Sequence, residues 1–358
     1  MRIALIASIF GVFNFLYPST TTAQERFDHL SPIEGQSELI IYGTLSNYTI
    51  SPILKSYQQK KPQTSIYYYE FSTDELYQFF LDNPEKRPDI MVSSAMDLQF
   101  KLVNDGFATK HRSTTTDAMP EWSRWRNEMF GFTFEPIVIA INTDILTGDP
   151  LPETRDQLIN FINRKDFLLE GKVGLSDIEK NGLGFLTWSQ DSQQSRTYGR
   201  LLETFGRNHA KLFSSSNTML QALTKGDIFI AYNVLSSQAE IWAAQHPWIV
   251  TVLPNDYTTV VIRTAFISNT TDNLIEARTF LDFLLSSDGQ NTIADQTSLL
   301  PILVNNKNGN GVDELRKKTS SLLRPISISL ELLLQTDDAK RQILFEEWRQ
   351  IMNRKVVQ

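Results

Sequence analysis

The stretch PDIMVSSAMD, Pro88 to Asp97, decides the fold. It contains a short apolar run, Ile90 to Val92, bounded by proline and polar residues, which is typical of an interior strand in a parallel sheet. Ser93 and Ser94 follow, and a helix is predicted from Ala95. The two hydroxyls either cap this helix, by accepting from its unpaired N–H groups, or help the positively polarised helix start to contact a small anion. The stretch alone leaves both interpretations open.

The segments before this strand repeat the order of strand and helix. ELIIYG predicts a strand over Leu39 to Tyr42, TSIYYYEF predicts a second strand, and a helix lies between them with Ser51 and Pro52 at its start. Ser72 and Glu75 form a capping box for the next helix. Strands that alternate with helices of about 10 to 15 residues indicate parallel βαβ units, which bind ligands at the carboxyl ends of their strands. The sequence therefore predicts an α/β fold.

Length and charge narrow the possible functions. The 358 residues exceed the roughly 150 that one domain usually holds, so we expect two lobes. The formal net charge is −7, and no run of Lys and Arg is long enough to follow the phosphates of a nucleic acid, so DNA and RNA binding are disfavoured. The chain also has no basic amphipathic stretch suited to a membrane surface.

The first residues resemble a secretory signal peptide. Arg2 precedes an apolar stretch from Ile3 to Leu16, and small residues before a cleavage point follow, so we expect cleavage after Ala23. The apolar stretch is shorter than the roughly 20 residues that span a bilayer. Export would permit disulfides, but the chain contains no cysteine. The sequence therefore predicts a freely diffusing periplasmic protein.

Two segments are predicted to connect the lobes. EMFGFTFEPIVIAIN is long for one strand, so Gly131 to Phe134 is expected to leave the first lobe and Ile137 to Ile141 to begin the second. WIVTVLPNDYTTVVIRTAFIS holds two apolar runs and is expected to carry the chain back. The predicted division is residues 1–23 for the signal peptide, 24–134 with 258–358 for the first lobe, and 135–257 for the second.

Several segments together resemble a known family. They are LYQFF, SSAMDLQFKLVNDGFA, FTFEPIVIAIN, KGDIFIAYNVLSSQA, DYTTVVIRTAFIS, FLDFLLSSDGQ and LRPISISLELLL. In this order they look like the type 2 periplasmic solute-binding proteins of ABC transporters, in the branch related to ferric-iron, thiamine, hexose-phosphate and phosphoglycerate binders. The resemblance implies two lobes, each a mostly parallel sheet flanked by helices, joined by two hinge crossings. It also implies a ligand held between the lobes and hinge closure upon it.

The resemblance also nominates the residues of the cleft. They are Thr44, Ser93, Ser94, Glu135, Ser176, Asn181, Gly182, Tyr232, Asn233 and Arg263. Arg263 interrupts an apolar strand and needs a partner, which is either a carboxylate or phosphate of the ligand or the internal carboxylate of Glu135. Tyr232 either faces the cleft or is a core tyrosine whose hydroxyl is satisfied inside the protein.

Metal binding and catalysis are disfavoured. Iron-binding relatives place adjacent tyrosines near the position of Tyr232, but here Asn233 follows it. The four histidines are dispersed, without the spacing of metal ligands. The chain also contains no G-x-S-x-G motif, no P-loop and no pair of histidines at i and i+4. We therefore expect no cofactor, no metal site and no enzymatic activity.

The sequence leads to one main function and an alternative. We expect a monomer that captures a small anionic solute, phosphorylated or a carboxylate, and presents it to an inner-membrane ABC permease. The alternative is a periplasmic sensor that docks on the histidine kinase of a two-component system, because many proteins similar to this one are encoded beside such systems. A thiamine or ferric-iron ligand is less favoured.

Overall fold

The computed structural model describes residues 25–32, 37–194, 196–303, 311–319 and 321–352. The predicted signal peptide lies outside these residues. The strands are β1 Glu25–His29, β2 Ser37–Gly43, β3 Thr64–Glu70, β4 Ile90–Ser93, β5 Ala108–Thr109, β6 Arg124–Trp125, β7 Met129–Gly131, β8 Glu135–Asn142, β9 Val173–Ser176, β10 Lys211–Phe213, β11 Ile230–Leu235, β12 Ile249–Val252, β13 Thr258–Val261, β14 Thr264–Ser268 and β15 Leu323–Pro325.

Helices cover these strands. They are α1 Asn47–Lys60, α2 Thr73–Asp82, α3 Met96–Asn104, α4 Thr114–Asp117, α5 Arg155–Arg164, α6 Asp166–Leu169, α7 Gly182–Gln194, α8 Tyr198–Arg207, α9 Ser216–Thr224, α10 Ser236–Gln245, α11 Leu274–Leu285, α12 Ser287–Gln296, α13 Val312–Lys318 and α14 Asp338–Met352, with 3₁₀ turns at Glu121–Ser123 and Leu330–Gln335. Within the described ranges, no helix is long and apolar enough to cross a membrane.

The first sheet runs in the order β1-β3-β2-β4-β14-β7-β6, with β5 paired to β14. Its centre is parallel, as predicted, and Ile41 lies opposite Tyr68 on one side and Ile90 on the other. These three side chains are fully buried, because a parallel sheet covered on both faces favours continuous apolar runs. The stretch that decides the fold forms strand β4, and its helix α3 begins at Met96.

Strand β1 and the start of helix α1 differ from expectation. Residues 24–36 read as a polar stretch, yet Glu25–His29 pairs antiparallel with β3, because a half-exposed edge strand needs few apolar residues. Helix α1 begins after Ser46, whose hydroxyl accepts from the N–H of Thr49, and Pro52 lies inside the helix. The start predicted at Ser51 is therefore wrong. The Ser46 hydroxyl caps the helix five residues before the predicted start, because it accepts an N–H of the first turn.

The second sheet is mixed and runs in the order β10-β9-β11-β8-β13-β15, with β12 paired to β8. Strands β10, β9 and β11 are parallel to one another, and β11 runs antiparallel to β8. Separate apolar clusters pack on its two faces, one around Phe161 and Phe205 and the other around Met219 and Leu223. Each sheet is flanked by helices, which confirms the predicted fold class of two α/β lobes.

The two predicted crossings lie side by side. Residues 132–134 join β7 of the first sheet to β8 of the second, and residues 262–263 join β13 of the second to β14 of the first. The N–H of Phe132 donates to the carbonyl of Arg263 at 3.0 Å, so the crossings are hydrogen-bonded to each other. Paired crossings of this kind form a hinge about which two lobes can close.

The C-terminal region returns to the second sheet, where β15 extends it beside β13. Helix α14 then packs against α8, and the ring of Trp348 lies 4.9 Å from that of Trp188. This position differs from the predicted division, which assigned all of 258–358 to the first lobe. Trp348 and Phe345 supply apolar surface that completes the core of the second lobe, and the sequence periodicity alone does not say which lobe an amphipathic helix covers.

Candidate ligand-binding cleft

A cleft of about 870 Å³ separates the two lobes. Helix α2 of the first lobe and helix α10 of the second form its walls, because Gln78 and Asp82 on α2 and Gln238 and Trp242 on α10 all line the same space. Its base is formed by the loop after β2 and by the starts of helices α1, α3, α7 and α9. Both lobes therefore contribute to one site at the carboxyl ends of parallel strands, where α/β folds bind ligands.

The helices that start at the cleft are capped in two different ways. Side chains satisfy the first N–H groups of α1, α2, α7 and α9, and the capping residues are Ser46, Ser72, Asn181 and Ser215. Helices α3 and α10 have no side-chain cap. Unpaired N–H groups at helix starts attract negative partial charge. The protein itself therefore caps four of these helix starts and leaves those of α3 and α10 without a side-chain partner.

Hydroxyl and amide groups make the base of the cleft polar. Ser94 is only 2% exposed, and its hydroxyl has no hydrogen-bond partner among the described residues. Its backbone N–H donates to the hydroxyl of Thr44 at 3.4 Å, which connects the ends of β2 and β4. The hydroxyl borders the open cleft, where water or a ligand can pair with it. Ser94 is therefore available to a bound solute.

Aromatic rings give the cleft an apolar part. Phe71, Phe79 and Trp242 line it, and the indole N–H of Trp242 donates to the side-chain oxygen of Asn217 at 3.1 Å. The indole ring also stacks on the imidazole of His246 with an interplanar angle of 18°. These contacts hold the ring of Trp242 in place, so the cleft offers a fixed flat surface to an apolar ligand group.

The charged side chains that line the cleft are all acidic. They are Glu25, Glu70, Glu75 and Asp82, and none of the described lining residues is a lysine, arginine or histidine. Glu75 belongs to the capping box of α2. One oxygen of Glu70 accepts the backbone N–H of Asn47 at 2.8 Å. Burial raises the pKa of Glu70, this hydrogen bond lowers it, and the nearby charge of Glu25 raises it.

The structure places some of the nominated residues at the cleft. Thr44, Ser94 and Asn181 line it, while the Ser93 hydroxyl accepts the N–H of Ala95 at 3.1 Å. Of the two serines, Ser93 therefore satisfies the backbone at the helix start and Ser94 faces the cleft. The side-chain oxygen of Asn181 accepts the N–H of Gly184 at 2.8 Å, which fixes the start of α7.

Gly182 lies where the two lobes touch. A Cβ atom at this position would come within 2.8 Å of the Leu98 side chain and 3.3 Å of the Ala95 side chain, both on the first lobe. Glycine thus permits the start of α7 to approach α3 closely. Gly182 is a contact between lobes at the base of the cleft.

Arg263 and Glu135 lie outside the lining of the cleft. The two side chains pair with each other, at 2.9 Å from Nε to Oε1 and 3.2 Å from Nη2 to Oε2, and both are 1% exposed. Of the two partners left open for Arg263, the structure shows the internal one. The nomination of Arg263 and Glu135 as ligand contacts is corrected accordingly, because their charges and hydrogen bonds are used within the hinge.

Tyr232 and Asn233 also lie away from the cleft. The Tyr232 hydroxyl donates to Asp191 at 2.8 Å and accepts from Arg155 at 2.9 Å, and the Asn233 amide donates to the same carboxylate at 2.8 Å. The nomination of these two residues is likewise corrected, because their polar groups satisfy a buried network in the second lobe. Ser176 also lies outside the lining, packed against Gly184 of α7.

Several lining residues were missed from the sequence. The run Ser214 to Asn217 follows β10 and opens α9, in the same order of strand, serines and helix as Ser93 and Ser94. That order is a signal that could have identified them. Glu70, at the end of β3, and Trp242, on α10, carried no such signal, because the sequence does not show which side chains of a lobe face the other lobe.

No group of three or more potential metal ligands is found among the residues that the structure describes. Tyr232, the residue closest in sequence position to an iron ligand of relatives, holds the Asp191 network instead. The described lining of the cleft consists of hydroxyls at its base, aromatic rings on its walls and carboxylates along the first lobe.

Comparisons with known proteins agree with this architecture. The substrate-binding protein of an ABC transporter from Agrobacterium tumefaciens is 28% identical, with a TM-score of 0.87, over 92% of this chain and 99% of that one. AfuA from Actinobacillus pleuropneumoniae, solved with exogenous fructose-6-phosphate bound, is 18% identical, with a TM-score of 0.72, over 90% of this chain and 100% of its own.

A further solved structure, described as a two-component system protein that mediates signal transduction, is 16% identical with a TM-score of 0.66, over 87% of this chain and 99% of its own. No curated protein sequence matches the chain significantly. The model of the family described as bacterial extracellular solute-binding protein matches residues 85–319, which is more than half of the chain. The chain therefore belongs to the bacterial extracellular solute-binding proteins.

Proposed function

We propose that the protein captures a small solute in the cleft between its lobes and presents it to an ABC permease in the inner membrane. The observation that carries this proposal is that both lobes line one cleft, and that the Ser94 hydroxyl at its base has no hydrogen-bond partner in the described chain. The solute-binding family and the Agrobacterium transporter component support it. A protein of this kind acts by binding and release, so we propose no catalysed reaction.

Capture would involve closure of the lobes about the hinge. The Thr73 hydroxyl of the first lobe lies 3.5 Å from the side-chain oxygen of Asn181 on the second, next to the contact that Gly182 permits. A solute can drive closure only if it binds the closed form better than the open one. Residues from both lobes line the cleft, so a solute touching both walls gains contacts that one lobe alone does not offer.

The charge of the solute was predicted to be negative. Helix starts at the cleft support an anion, and AfuA binds a sugar phosphate. Arg263, the cation on which the prediction relied, is paired with Glu135 instead. The lining itself carries only acidic charges. Only the helix starts thus support an anionic solute. We therefore propose solute capture without assigning a negative charge to the solute.

A sensory role is the alternative. The structural neighbour described as a two-component system protein has the same fold, and the same cleft would serve a protein whose closed form docks on a histidine kinase. Export, with cleavage after Ala23, is part of either proposal. Autophosphorylation of a co-encoded kinase that depends on this protein and its solute would indicate sensing, whereas solute uptake that depends on it would indicate transport.

A thermal-shift screen tests the capture of a solute, since a ligand that binds the folded form raises its melting temperature. The purified mature chain is screened against sugar phosphates, di- and tricarboxylates, organic cations, sugars and ferric citrate. We expect at least one solute to raise the melting temperature, and Ser94→Ala to reduce that shift more than Ser287→Ala, at the exposed start of α12. A rise in melting temperature that stays the same in Ser94→Ala and when the cleft is blocked would place the solute outside the cleft and contradict the proposal.

A further inference from the structure

We infer that the cleft selects a positively charged organic solute and that Glu70 contacts its cationic group. This inference rests on the proposed function and reverses the sign of the solute predicted from the sequence. It depends on three observations: the acidic lining of the cleft, the polar side chains there that lack hydrogen-bond partners, and the capping of the helix starts.

Glu70 is the carboxylate that a cation would meet inside the cleft. It lies at the end of β3, half-buried, and lines the cleft next to Thr44. Its Oε2 accepts the Asn47 N–H at 2.8 Å, while Oε1 has no partner in the described part of the chain. No basic side chain of the described residues lies within 4 Å of it, and Glu25 adds a second negative charge nearby. A half-buried carboxylate without a counter-ion is unfavourable, and a cationic ligand removes that cost.

Two further side chains in the cleft lack partners. Ser94 is 2% exposed and its hydroxyl is unpaired within the described residues. Gln238, on α10 across the cleft, has a buried side-chain oxygen that also accepts no hydrogen bond in the described structure. An ammonium group has donors and no acceptor, so it can donate to an unpaired oxygen such as Glu70 Oε1 or Gln238 Oε1. An anionic group has no donor for either oxygen.

The starts of α1 and α2 offer little to an anion. The N–H of Asn47 at the start of α1 already donates to Glu70, and Ser46 accepts the N–H of Thr49. At α2, the Ser72 hydroxyl accepts from Glu75, whose carboxylate accepts the Ser72 N–H in return. A phosphate placed there would displace these contacts and face both carboxylates. Like charges at short range oppose binding.

The rest of the cleft fits an apolar body attached to the cationic group. Trp242 and Phe79 line opposite walls, on α10 and α2. A cation over the face of a tryptophan ring is attracted by the negative face of the ring, and the apolar part of the ligand gains from burial against both rings. The combination of acidic and aromatic side chains is therefore suited to an organic cation more than to a hydrated metal ion or a free sugar.

Calorimetric titration of the mature chain tests the inference. The cationic probes are choline, spermidine and thiamine, the anionic probes are inorganic phosphate, fructose-6-phosphate and citrate, and glucose is the neutral probe. We expect a cationic probe to bind and Glu70→Gln to weaken it at least tenfold. Because glutamine keeps the oxygen that accepts the Asn47 N–H, this variant should fold normally. Glu85→Gln, which removes the same charge from an exposed loop, should bind like the wild type.

The other outcomes separate the inference from the proposed function. A phosphate, citrate or sugar phosphate that binds as well in Glu70→Gln as in the wild type would overturn the inference and leave solute capture intact. A cationic probe bound equally by both proteins would overturn the role of Glu70. A protein that binds no probe of any class, by calorimetry and by melting temperature, would contradict the proposed function itself.

Discussion

Arg263 and Glu135 form a buried ion pair at the point where the two crossings between the lobes meet. The guanidinium also donates to the Thr44 hydroxyl of the first lobe at 3.1 Å, and the carboxylate accepts from Ser237 at the start of α10 in the second lobe at 2.7 Å. The pair thus connects the base of the cleft on one lobe to a wall of the cleft on the other. Its role is to hold the hinge, since neither side chain lines the cleft.

Replacing Arg263 by glutamine is expected to destabilise the fold. The variant leaves Glu135 buried without its cation, which costs about 3 to 5 kcal/mol of unfolding free energy. Urea unfolding measures the loss. As a matched control, Lys101→Gln breaks an exposed pair with Asp105 and should change stability by less than about 1 kcal/mol. An Arg263→Gln protein with wild-type stability and lost solute binding would show that Arg263 contacts the ligand.

Replacing Tyr232 by phenylalanine separates its core role from a role in the cleft. The change removes a hydroxyl that Asp191 and Arg155 both use, and we expect a loss of about 1 to 3 kcal/mol in unfolding free energy with solute affinity unchanged. Tyr67→Phe, which removes an exposed hydroxyl, is the control. Ferric binding that disappears in Tyr232→Phe would contradict the placement of this residue in the core.

Adding a methyl group at Gly182 is expected to oppose lobe closure. The new Cβ would lie 2.8 Å from the Leu98 side chain across the contact between the lobes. Overpacking of this kind costs about 1 to 3 kcal/mol, so Gly182→Ala should weaken solute binding by about 5-fold to 150-fold. At Gly199 the corresponding methyl meets nothing within 4 Å, so Gly199→Ala is the matched control. Equal affinities for the two variants would indicate that closure does not bring Gly182 against the first lobe.

Asp97 makes stability depend on pH. Burial raises the pKa of this carboxyl to about 6 from 3.8, although the positive charge of Arg341 opposes the shift. Between about pH 4 and 6, the folded state therefore keeps the carboxyl proton that the unfolded state loses. The stabilisation from this proton is full below pH 4 and is lost as the pH rises through 6. Asp97→Asn should be more stable than the wild type at pH 7.5, by roughly 3 kcal/mol at most, with the difference vanishing near pH 4.

The control for this prediction is Asp105→Asn at the end of the same helix, where the carboxylate is exposed. The stability of Asp105→Asn relative to the wild type should not rise in this way between pH 4 and 7.5. If Asp97→Asn and the wild type keep the same stability difference at every pH, the pKa of this carboxyl is the same in the folded and unfolded states, and its burial does not raise it.

The fold was accessible from local patterns. Apolar runs followed by capped helices predicted the alternation of strands and helices in the first lobe, including the strand that ends at Ser93. Helix α14 was misplaced because its apolar side, with Trp348, fits the surface of either lobe, and only the three-dimensional packing shows that it meets Trp188. Edge strand β1 carried too few apolar residues to be recognised.

Three of the nominated residues line the cleft: Thr44 and Ser94, which directly follow strands, and Asn181, which caps α7. Thr44 and Ser94 line the cleft because they come immediately after central parallel strands. Arg263 and Tyr232 were nominated for the cleft by the family resemblance, and for each of them an internal role was left open. Their actual partners, Glu135 and Asp191, are distant in sequence and cannot be identified without the fold.

Distance measurement between the lobes tests the two-lobed clamp most directly. Because the chain has no cysteine, the variant Glu85→Cys with Gln221→Cys takes spin labels at two exposed positions only, one on each lobe. Pulsed electron paramagnetic resonance then reports the distance between them with and without the probe that binds in the titration. We predict that the probe shifts the distribution to shorter distances; a probe that binds at full occupancy and leaves the distribution unchanged would contradict capture by closure of the lobes.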